Sequence, residues 1–447
     1  MDGGIENIVR SLEWGGLNID EGVYLDKQGS IRERGDAGPY IQSKRLEIYT
    51  ARVTELLEKG SAYHCFCSKE RLDELRRMQE INKLAPGYDG HCRDLEPAIR
   101  EKNLTTGVRF VIRLRVPRDG STMFTDLVRG PVSFENALID DQVLMKSDGF
   151  PTYHFAVVVD DHFMGTTHVV RGEEWLPSTP KHILLYSAFG WEVPQFAHLS
   201  LLVNEQKQKL SKRHGDVAVE DFREKGYIPE AMVNFIALLG WNPGNDRELF
   251  TLGELAQEFS FEHVNKAAAV FNREKLDWYN QQHIRALSVG ELTRRSLPYL
   301  ENAGLVQKNN VDSEYLTWLE KAVLLVQERL VKLSDMPELI GFLFVKDLVY
   351  EPEILIWKKS TREITKKIID ELTVYLSTFS VQDWNTALLQ KAVGEWILSQ
   401  GYGVGDVLWP FRVALAGQKN SPPPFEIACV LGKEKTIKRL GYARDRL

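Results

Sequence analysis

A basic segment near the middle of the chain contains the residues best suited to phosphate chemistry. Residues 207–217 read KQKLSKRHGDV and place Lys207, Lys209, Lys212 and Arg213 within seven positions. Lysine ammonium groups on a flexible loop can settle on a polyphosphate as negative charge builds up during a reaction. Clustered lysines are also common in loops that are simply hydrated, so the charge alone leaves both interpretations open. The sequence contains no GxxxxGK[ST] pattern, and the segment is therefore not a P-loop.

A second candidate site follows two short apolar runs. Residues 155–159 (FAVVV) and 168–170 (HVV) each end in charged side chains, and Arg171 and Glu174 lie just after the second run. We predict that both runs are strands and that a helix follows them, capped by Ser178 or Thr179. Ligands of open α/β sheets bind at the carboxyl ends of the strands, which is where the charged residues are expected to lie.

Further elements are predicted around these two groups. The sequence GPYIQSKRLEIYTARVTELLEKG indicates a helix with Pro39 in its first turn and Gly60 just past its end. Residues 108–116 alternate and predict a half-buried antiparallel strand, whose arginine row either faces solvent or meets phosphates. Residues 228–240 and the chain after Leu287 show helical periodicity.

Composition indicates an ordinary globular protein of several domains. The chain has 447 residues, a net charge of −7 and 43 % hydrophobic residues. Its apolar runs are too short to span a bilayer, and no secretory signal is visible at Met1. Four cysteines in so long a chain do not make a disulfide scaffold, which favours a reducing cytoplasm.

Three of the cysteines have a spacing that suggests a metal. Cys65 and Cys67 form a C-x-C pair, and Cys92 follows after 24 intervening residues. Structural zinc takes four ligands, so three thiols are a weak signal by themselves. The alternative is three ordinary thiols around a hairpin.

The segment KLSKRHGD resembles the KMSKS element of class I aminoacyl-tRNA synthetases in the form that glutamyl-tRNA synthetases use. Five further segments resemble the same family, and their family counterparts are arranged in a similar order: KSDGFPTYHFAVVVDDHFMGTTHVVRGEEWLPSTPKHILLYSAFGW, YDGHCRDL, RGPVSFEN, FNREKLDWYN and LWPFRVALAGQKNSPPPFEIACVLGKE. The resemblance covers nearly the whole chain. It implies an α/β plus all-α protein in which an incomplete Rossmann-type catalytic domain carries an insertion and is followed by helical domains.

The resemblance also implies domain boundaries. These are a first catalytic part (1–61), an inserted acceptor-stem-binding domain (62–150), a second catalytic part (151–204), a KMSKS loop and stem-contact domain (205–286) and a helical anticodon-binding region (287–447). The implied partners are tRNA-Glu, ATP with Mg²⁺ and L-glutamate, for a cytoplasmic monomer without a membrane span.

Site residues are implied position by position. Lys209 and Lys212 would be catalytic, Tyr153 and Arg171 would bind glutamate, and the ATP-binding residues would be Lys209, Ser211, Lys212, Arg213, Glu174 and Trp175. A guanidinium fork pairs with a carboxylate in two parallel bonds but not with an amide, which would let Arg171 reject glutamine. Some bacterial members bind zinc through C-x-C-x24-C-x-H, and this sequence has Asp94 at the histidine position, so the implied zinc ligands are Cys65, Cys67, Cys92 and Asp94. His64 and His91 are nearby alternatives to Asp94.

The chain departs from the family pattern at two places. Val157 stands where many members have a polar Asn that helps to hold the substrate. The HIGH-type sequence, roughly PSPTGxLHxG, is absent, so we expect an N-terminally truncated synthetase that binds ATP poorly and is nearly inactive. Two alternatives are a paralogue that charges a different acceptor and lacks the helical anticodon region, and a tRNA-binding protein that has lost its ATP cradle.

Overall fold

The computed structural model describes residues 3–210, 218–307 and 312–447. The chain divides into two compact units, the first comprising residues 1–211 and 236–272 and the second residues 212–235 and 273–447. The five sequence-based domain boundaries stay predictions. Among the described residues, no helix is long and apolar enough to cross a membrane.

The first unit mixes helices and short strands. Its helices are α1 (Gly4–Trp14), α2 (Leu46–Glu58), α3 (Lys69–Ile81), α4 (Pro97–Thr105), α5 (Tyr153–Phe163), α6 (Thr179–Phe189) and α9 (Leu252–Glu258). Its strands are β1 (Gly22–Leu25), β2 (Ile31–Arg34), β3 (Ala62–Cys65), β4 (Val111–Leu114), β5 (Ser121–Asp126), β6 (Gly130–Glu135), β7 (Val143–Met145), β8 (His168–Gly172), β9 (Gln195–Leu199), β10 (Leu202–Val203) and β11 (Ala269–Val270).

A four-stranded sheet in the order β6-β5-β9-β8 positions the candidate site. Strands β8 and β9 run parallel, and β9 is also parallel to β5, whereas β5 and β6 form an antiparallel hairpin. The hairpin lies within the segment predicted to be the insertion, yet it pairs with β9 at Asp126 and Phe196. A second sheet, in the order β3-β4-β7, is antiparallel throughout.

Residues 155–159 form part of helix α5, so the prediction of a strand there is wrong. The run is only five residues long, and a short apolar run does not reveal its period. In the helix, Phe155, Ala156, Val158 and Val159 are buried in a core shared with α2, β4 and α6. Val157 also packs against this core, and the helix is stabilised by that burial.

The ends of two other helices test the capping predictions. Helix α2 begins at Leu46 rather than near Pro39, whereas Gly60 follows its end with a φ of 69°, as expected for a left-handed cap. Helix α6 ends at Gly190 in the same conformation. Its N-cap, Ser178, makes no side-chain capping bond, and the Thr179 hydroxyl has other partners in the candidate site. The predicted capping interaction is therefore wrong.

Strand β4 confirms the antiparallel strand but not a solvated arginine row. Arg113 is only 6 % exposed, and its guanidinium stacks 3.8 Å from the ring centroid of Tyr88. Its Nη1 donates to the carbonyl oxygen of Asp141 at 2.9 Å. A planar guanidinium can be buried in this way because it stacks and hydrogen-bonds together.

The second unit is helical in its described part, which confirms the periodicity seen after Leu287. It holds α7 (Val219–Glu224), α10 (Arg273–Ala286), α11 (Val289–Asn302), α12 (Ser313–Leu324), α13 (Met336–Ile340), α14 (Arg362–Ser377), α15 (Thr386–Gln400), α16 (Val404–Ala416) and α17 (Pro424–Arg446). The division between the units falls within α8 (Pro229–Gly240), which confirms the predicted helix there. Buried leucine, isoleucine and valine side chains of α14 to α17 form an apolar core.

Candidate active site

Arg171 lies near the carboxyl end of β8, where its guanidinium meets three uncharged acceptors. Its Nε donates to Nε2 of His198 at 3.1 Å, and its Nη2 donates to the hydroxyl of Thr179 at 2.8 Å. Its Nη1 lies 3.3 Å from Nδ1 of His182. Thr179 and His182 belong to α6 and His198 to β9, so two elements beside β8 fix this side chain.

Asp126, the last residue of β5, anchors the far side of His198. Its Oδ2 lies 2.6 Å from Nδ1 of His198, and both side chains have no exposed surface. Its Oδ1 accepts the backbone N–H groups of Val128, Arg129 and His198 at 2.9 to 3.2 Å. Burial by itself would raise the pKa of Asp126, but these hydrogen bonds lower it below its usual range. The carboxylate is therefore ionised and saturated with donors.

The histidines near Arg171 are neutral at physiological pH. Burial lowers the pKa of His154, His182 and His198, most strongly that of His182. His154 Nδ1 lies 3.0 Å from His182 Nε2, which extends the hydrogen-bonded chain towards the surface. Neutral imidazoles can accept a hydrogen bond from the guanidinium without neutralising its charge.

The positive charge of Arg171 has no direct carboxylate partner in its partly buried place, although the carboxylates of Asp126 and Asp161 lie close enough to favour its charged form. Within the described ranges, no carboxylate lies within the 4.0 Å ion-pair distance of its guanidinium. The nearby acids have other partners, because Glu173 pairs with Arg129 at 2.6 Å and Glu174 with Lys209 at 3.0 Å. Burial lowers the pKa of Arg171, but a guanidinium stays protonated. Such a cation is suited to receive a carboxylate from a ligand.

Two aromatic side chains stand beside this cation. Tyr153, at the start of α5, and Trp175 have ring centroids 4.9 Å apart and are 45 % and 38 % exposed. Tyr153 lies close enough to Arg171 to favour its charged form, which partly offsets the effect of burial on the pKa of Arg171. The structure therefore brings the two predicted glutamate-binding residues together, next to a predicted ATP-binding residue.

Lys209 reaches the same edge of the sheet. Its Nζ lies 3.0 Å from Oε1 of Glu174, and this bond lowers the pKa of the Glu174 carboxyl. Glu174 approaches Gly172 so closely that a Cβ there would lie 2.2 Å from its Oε2. A side chain at residue 172 would therefore displace the flexible carboxylate of Glu174 from this position. The predicted site residues Ser211, Lys212 and Arg213 lie outside the described residues.

The three predicted cysteine ligands converge at the start of the second sheet. The Sγ atoms of Cys65, Cys67 and Cys92 lie within 4.8 Å of one another. The Tyr88 hydroxyl is 3.3 Å from the sulfurs of Cys65 and Cys67, and it accepts the backbone N–H of Cys92 at 2.9 Å. The neighbouring Cys92 thiol and Tyr88 hydroxyl lower the pKa of Cys65 well below its usual range.

Asp94 is not brought to this cluster. Its side chain is 81 % exposed and pairs with Arg115 at 2.8 Å. Tyr88 occupies the place beside the sulfurs that the spacing pattern gave to Asp94. Cys429, the fourth free cysteine, lies in α17 against Thr386.

Sequence reasoning missed most of the residues that hold Arg171. Asp126 and His198 are 72 positions apart and meet only because β5 and β9 are neighbours in the sheet. The signal for Asp126 was its place in DLVRGP between two alternating segments, which marks a hairpin turn. Tyr88 was missed because only sulfur, histidine and carboxylate ligands were considered for the cysteine spacing.

Comparison with known proteins agrees with this arrangement. Residues 1–278 match the catalytic domain family described as tRNA synthetases class I (E and Q), and residues 291–444 match an anticodon-binding domain family. The chain therefore belongs to the class I tRNA synthetases of the E and Q type.

Similar proteins of known function are glutamate–tRNA ligases. The chain is 43 % identical over 450 residues to the glutamate–tRNA ligase of Alkaliphilus metalliredigens, and 42 % identical over 455 residues to that of Clostridioides difficile. Both alignments cover all of this chain and 90 % of the relative. A crystal structure of a glutamate tRNA ligase from Elizabethkingia meningosepticum, in complex with its amino acid, superposes with a TM-score of 0.85 at 33 % identity and covers 100 % of this chain and 90 % of that one.

Proposed function

We propose that this chain attaches glutamate to tRNA-Glu in two steps that consume ATP. In the first step the α-carboxylate of glutamate attacks the α-phosphorus of ATP, and pyrophosphate leaves. In the second step the terminal hydroxyl of the tRNA attacks the carbonyl carbon of the adenylate, and AMP leaves. The observation that carries this proposal is Arg171, a guanidinium without a carboxylate partner among the described residues, beside the Glu174–Lys209 pair.

Arg171 and Tyr153 serve the glutamate end of the site. The guanidinium receives the side-chain carboxylate, and the neutral acceptors around it leave its charge available. Glutamine presents an amide, whose NH₂ group would face the N–H donors of Arg171. A site built around such donors rejects the wrong isostere because buried groups are left unpaired.

Lys209, Glu174 and Trp175 serve the nucleotide end, with Ser211, Lys212 and Arg213 from the adjoining segment. The ammonium group of Lys209 is 62 % exposed and can exchange Glu174 for a phosphate oxygen. Stabilising the charge that develops on the leaving pyrophosphate lowers the barrier to adenylate formation. Bound Mg²⁺ would neutralise part of the phosphate charge.

The second domain indicates the nature of the macromolecular partner. The match to an anticodon-binding domain over residues 291–444 covers the helical region that the alternative paralogue, which charges a different acceptor, lacks. It therefore supports tRNA-Glu as the partner. We propose a cytoplasmic monomer, in line with four free thiols and the absence of a membrane-spanning helix in the described ranges.

Glutamate attachment to purified tRNA-Glu tests the function directly. Any charging by this chain should depend on ATP and should disappear with glutamine in place of glutamate. Lys212→Ala should slow adenylate formation about a hundredfold, the size typical for one transition-state contact, whereas Lys207→Ala is the control from the same segment. Tight binding of tRNA without charging would favour the tRNA-binding alternative.

We also propose that the cysteine cluster holds a structural Zn²⁺ ion. Three convergent sulfurs, one with its pKa lowered to about 4, offer the soft and deprotonated ligands that zinc prefers. The Tyr88 hydroxyl is in place as the fourth ligand, whereas Asp94 is paired with Arg115 outside the cluster. The ion would tie the start of α3 to the strand β3 and would contribute to folding of this region.

Metal analysis separates the two possible fourth ligands. We expect about one zinc per chain, as in closed four-ligand sites, and loss of most of it in Cys67→Ser. Tyr88→Phe should lower zinc affinity, and Asp94→Asn should leave it unchanged. Equal zinc content in the wild type and in Cys67→Ser would refute the metal site, and loss of zinc in Asp94→Asn alone would return the fourth position to Asp94.

A further inference from the structure

We propose that Asp126 and His198 are positioning residues that orient the guanidinium of Arg171 for the side-chain carboxylate of glutamate. Neither residue belongs to the nucleotide end of the site, and neither reaches the surface. They act through Arg171 by a directed chain of hydrogen bonds that begins at the backbone of the β5–β6 turn. The identity of the ligand rests on the proposed function, whereas the direction of these hydrogen bonds rests on the geometry alone.

The two oxygens of Asp126 have different environments. Oδ1 faces three backbone N–H groups, those of Val128, Arg129 and His198. Oδ2 faces only Nδ1 of His198, at 2.6 Å. Since three donors converge on Oδ1, an oxygen atom must occupy that position whatever the residue is.

This arrangement fixes the tautomer of His198. The carboxylate accepts from Nδ1–H, and burial keeps the ring neutral by lowering its pKa. The lone pair is therefore on Nε2, which lies 3.1 Å from Nε of Arg171 and 3.2 Å from the hydroxyl of Thr179. Nε2 is an acceptor that points at a donor, as in other sites where a second partner sets the role of an imidazole.

Two contacts on different nitrogens then define the plane of the guanidinium. His198 holds Nε and Thr179 holds Nη2, and one N–H on each terminal nitrogen is directed away from these partners. The acceptors are uncharged, so they orient the cation without competing for its charge. A carboxylate in place of His198 would orient Arg171 equally well but would neutralise it, and discrimination between glutamate and glutamine would be lost.

The substitution Asp126→Asn should reverse the direction of the hydrogen bonds from residue 126 through His198 to Arg171. It keeps an oxygen atom in place for the three backbone N–H donors. Three N–H donors force the amide oxygen into the Oδ1 position, so the NH₂ group faces Nδ1 of His198. The imidazole must then carry its proton on Nε2, opposite the N–H donor of Arg171. We expect glutamate binding to weaken about tenfold, which corresponds to about 1.4 kcal/mol, and the preference for glutamate over glutamine to fall.

Ring-nitrogen NMR of histidine in the full chain, without ligand, reads the tautomer directly. In the wild type, a neutral His198 protonated on Nδ1 supports the proposal, and protonation on Nε2 or on both nitrogens overturns it. This measurement does not require the variant to fold. In Asp126→Asn the tautomer should be reversed, and calorimetry should show weaker glutamate binding with ATP binding unchanged.

A control is Asp141→Asn, another buried aspartate that accepts a backbone N–H, from Val116, but whose carboxylate partners are Arg93 and Tyr63 rather than a histidine. Its glutamate affinity should equal that of the wild type. A reversed tautomer in Asp126→Asn with unchanged glutamate affinity would overturn the proposal, and so would an equal loss of ATP binding. Failure of the wild type to bind glutamate would instead refute the proposed function, whatever the NMR spectrum shows.

Discussion

The substitution Arg171→Lys tests the glutamate end of the site most sharply. It keeps the positive charge and most of the side-chain length but replaces a planar fork by a single ammonium group. Five N–H donors are available on the guanidinium, and His198, Thr179 and His182 take one each. One N–H donor therefore remains on each terminal nitrogen. The remaining donor on Nη2 makes only a long contact of 3.4 Å with the carbonyl oxygen of Trp175.

These two remaining donors set the size of the expected effect. They match the two oxygens of a carboxylate, and a lysine can offer only one of the two parallel bonds in the same place. A hydrogen bond to a charged group contributes about 1.5–3 kcal/mol, so the dissociation constant for glutamate should rise roughly 10- to 150-fold. ATP binding should change little, because Lys209 and Glu174 keep their contact.

Calorimetry with glutamate, glutamine and ATP measures all three affinities on the same preparation. Arg129→Lys is a useful comparison, because the Arg129 guanidinium pairs with Glu173 and donates to the carbonyl oxygens of His198 and Lys266. Glutamate affinity within twofold of the wild type in Arg171→Lys would show that the fork does not hold the substrate carboxylate. The same conclusion would follow if Arg129→Lys and Arg171→Lys weakened glutamate binding equally.

Two further predictions concern stability. Burial lowers the pKa of His182 well below 6.5, so the unfolded chain binds a proton that the native chain does not, and the free energy of unfolding should fall as the pH drops below about 6.5. His182→Gln should make this slope shallower in urea titrations between about pH 5 and 7, and an unchanged slope would assign the proton uptake to other groups. In the second unit, Arg295 makes two bonds of 2.8 and 2.9 Å to the half-buried Glu230, so Arg295→Met should destabilise the chain by roughly 1–3 kcal/mol in urea unfolding. Its neighbour Arg294 is 69 % exposed, and Arg294→Met should change stability by less than about 0.5 kcal/mol; equal effects of the two would contradict this reasoning.

Local signals were sufficient for the parts of the site that lie close together in sequence. Arg171 lies near the carboxyl end of β8, and Glu174 and Trp175 lie between that strand and helix α6, in agreement with the predicted strand, charged turn and helix. The prediction was wrong at α5, because five apolar residues that are buried on several sides carry no readable period. The tertiary core, rather than local preference, determines that this segment is a helix.

Long-range pairing was beyond the reach of the sequence. Neither Asp126 nor His198 was among the predicted site residues, and nothing in either segment specifies the other. Likewise Arg113 was expected among solvated arginines, but it is buried because Tyr88 and the carbonyl oxygen of Asp141 satisfy it. Each of these contacts depends on which strands become neighbours, and a single sequence does not reveal that.

The β5–β6 hairpin limits which insertions and deletions this protein can tolerate. Its six paired residues end at Asp126, and the amides of Val128 and Arg129 fold back onto the carboxylate that holds His198. Surface hairpins usually tolerate an added or deleted residue at the tip, but a slip of one position here would turn Asp126 to the opposite side of the sheet. The length of this turn is thus tied to recognition of the amino acid, and an insertion at residues 127–129 would disable the pocket from a place that never touches the substrate.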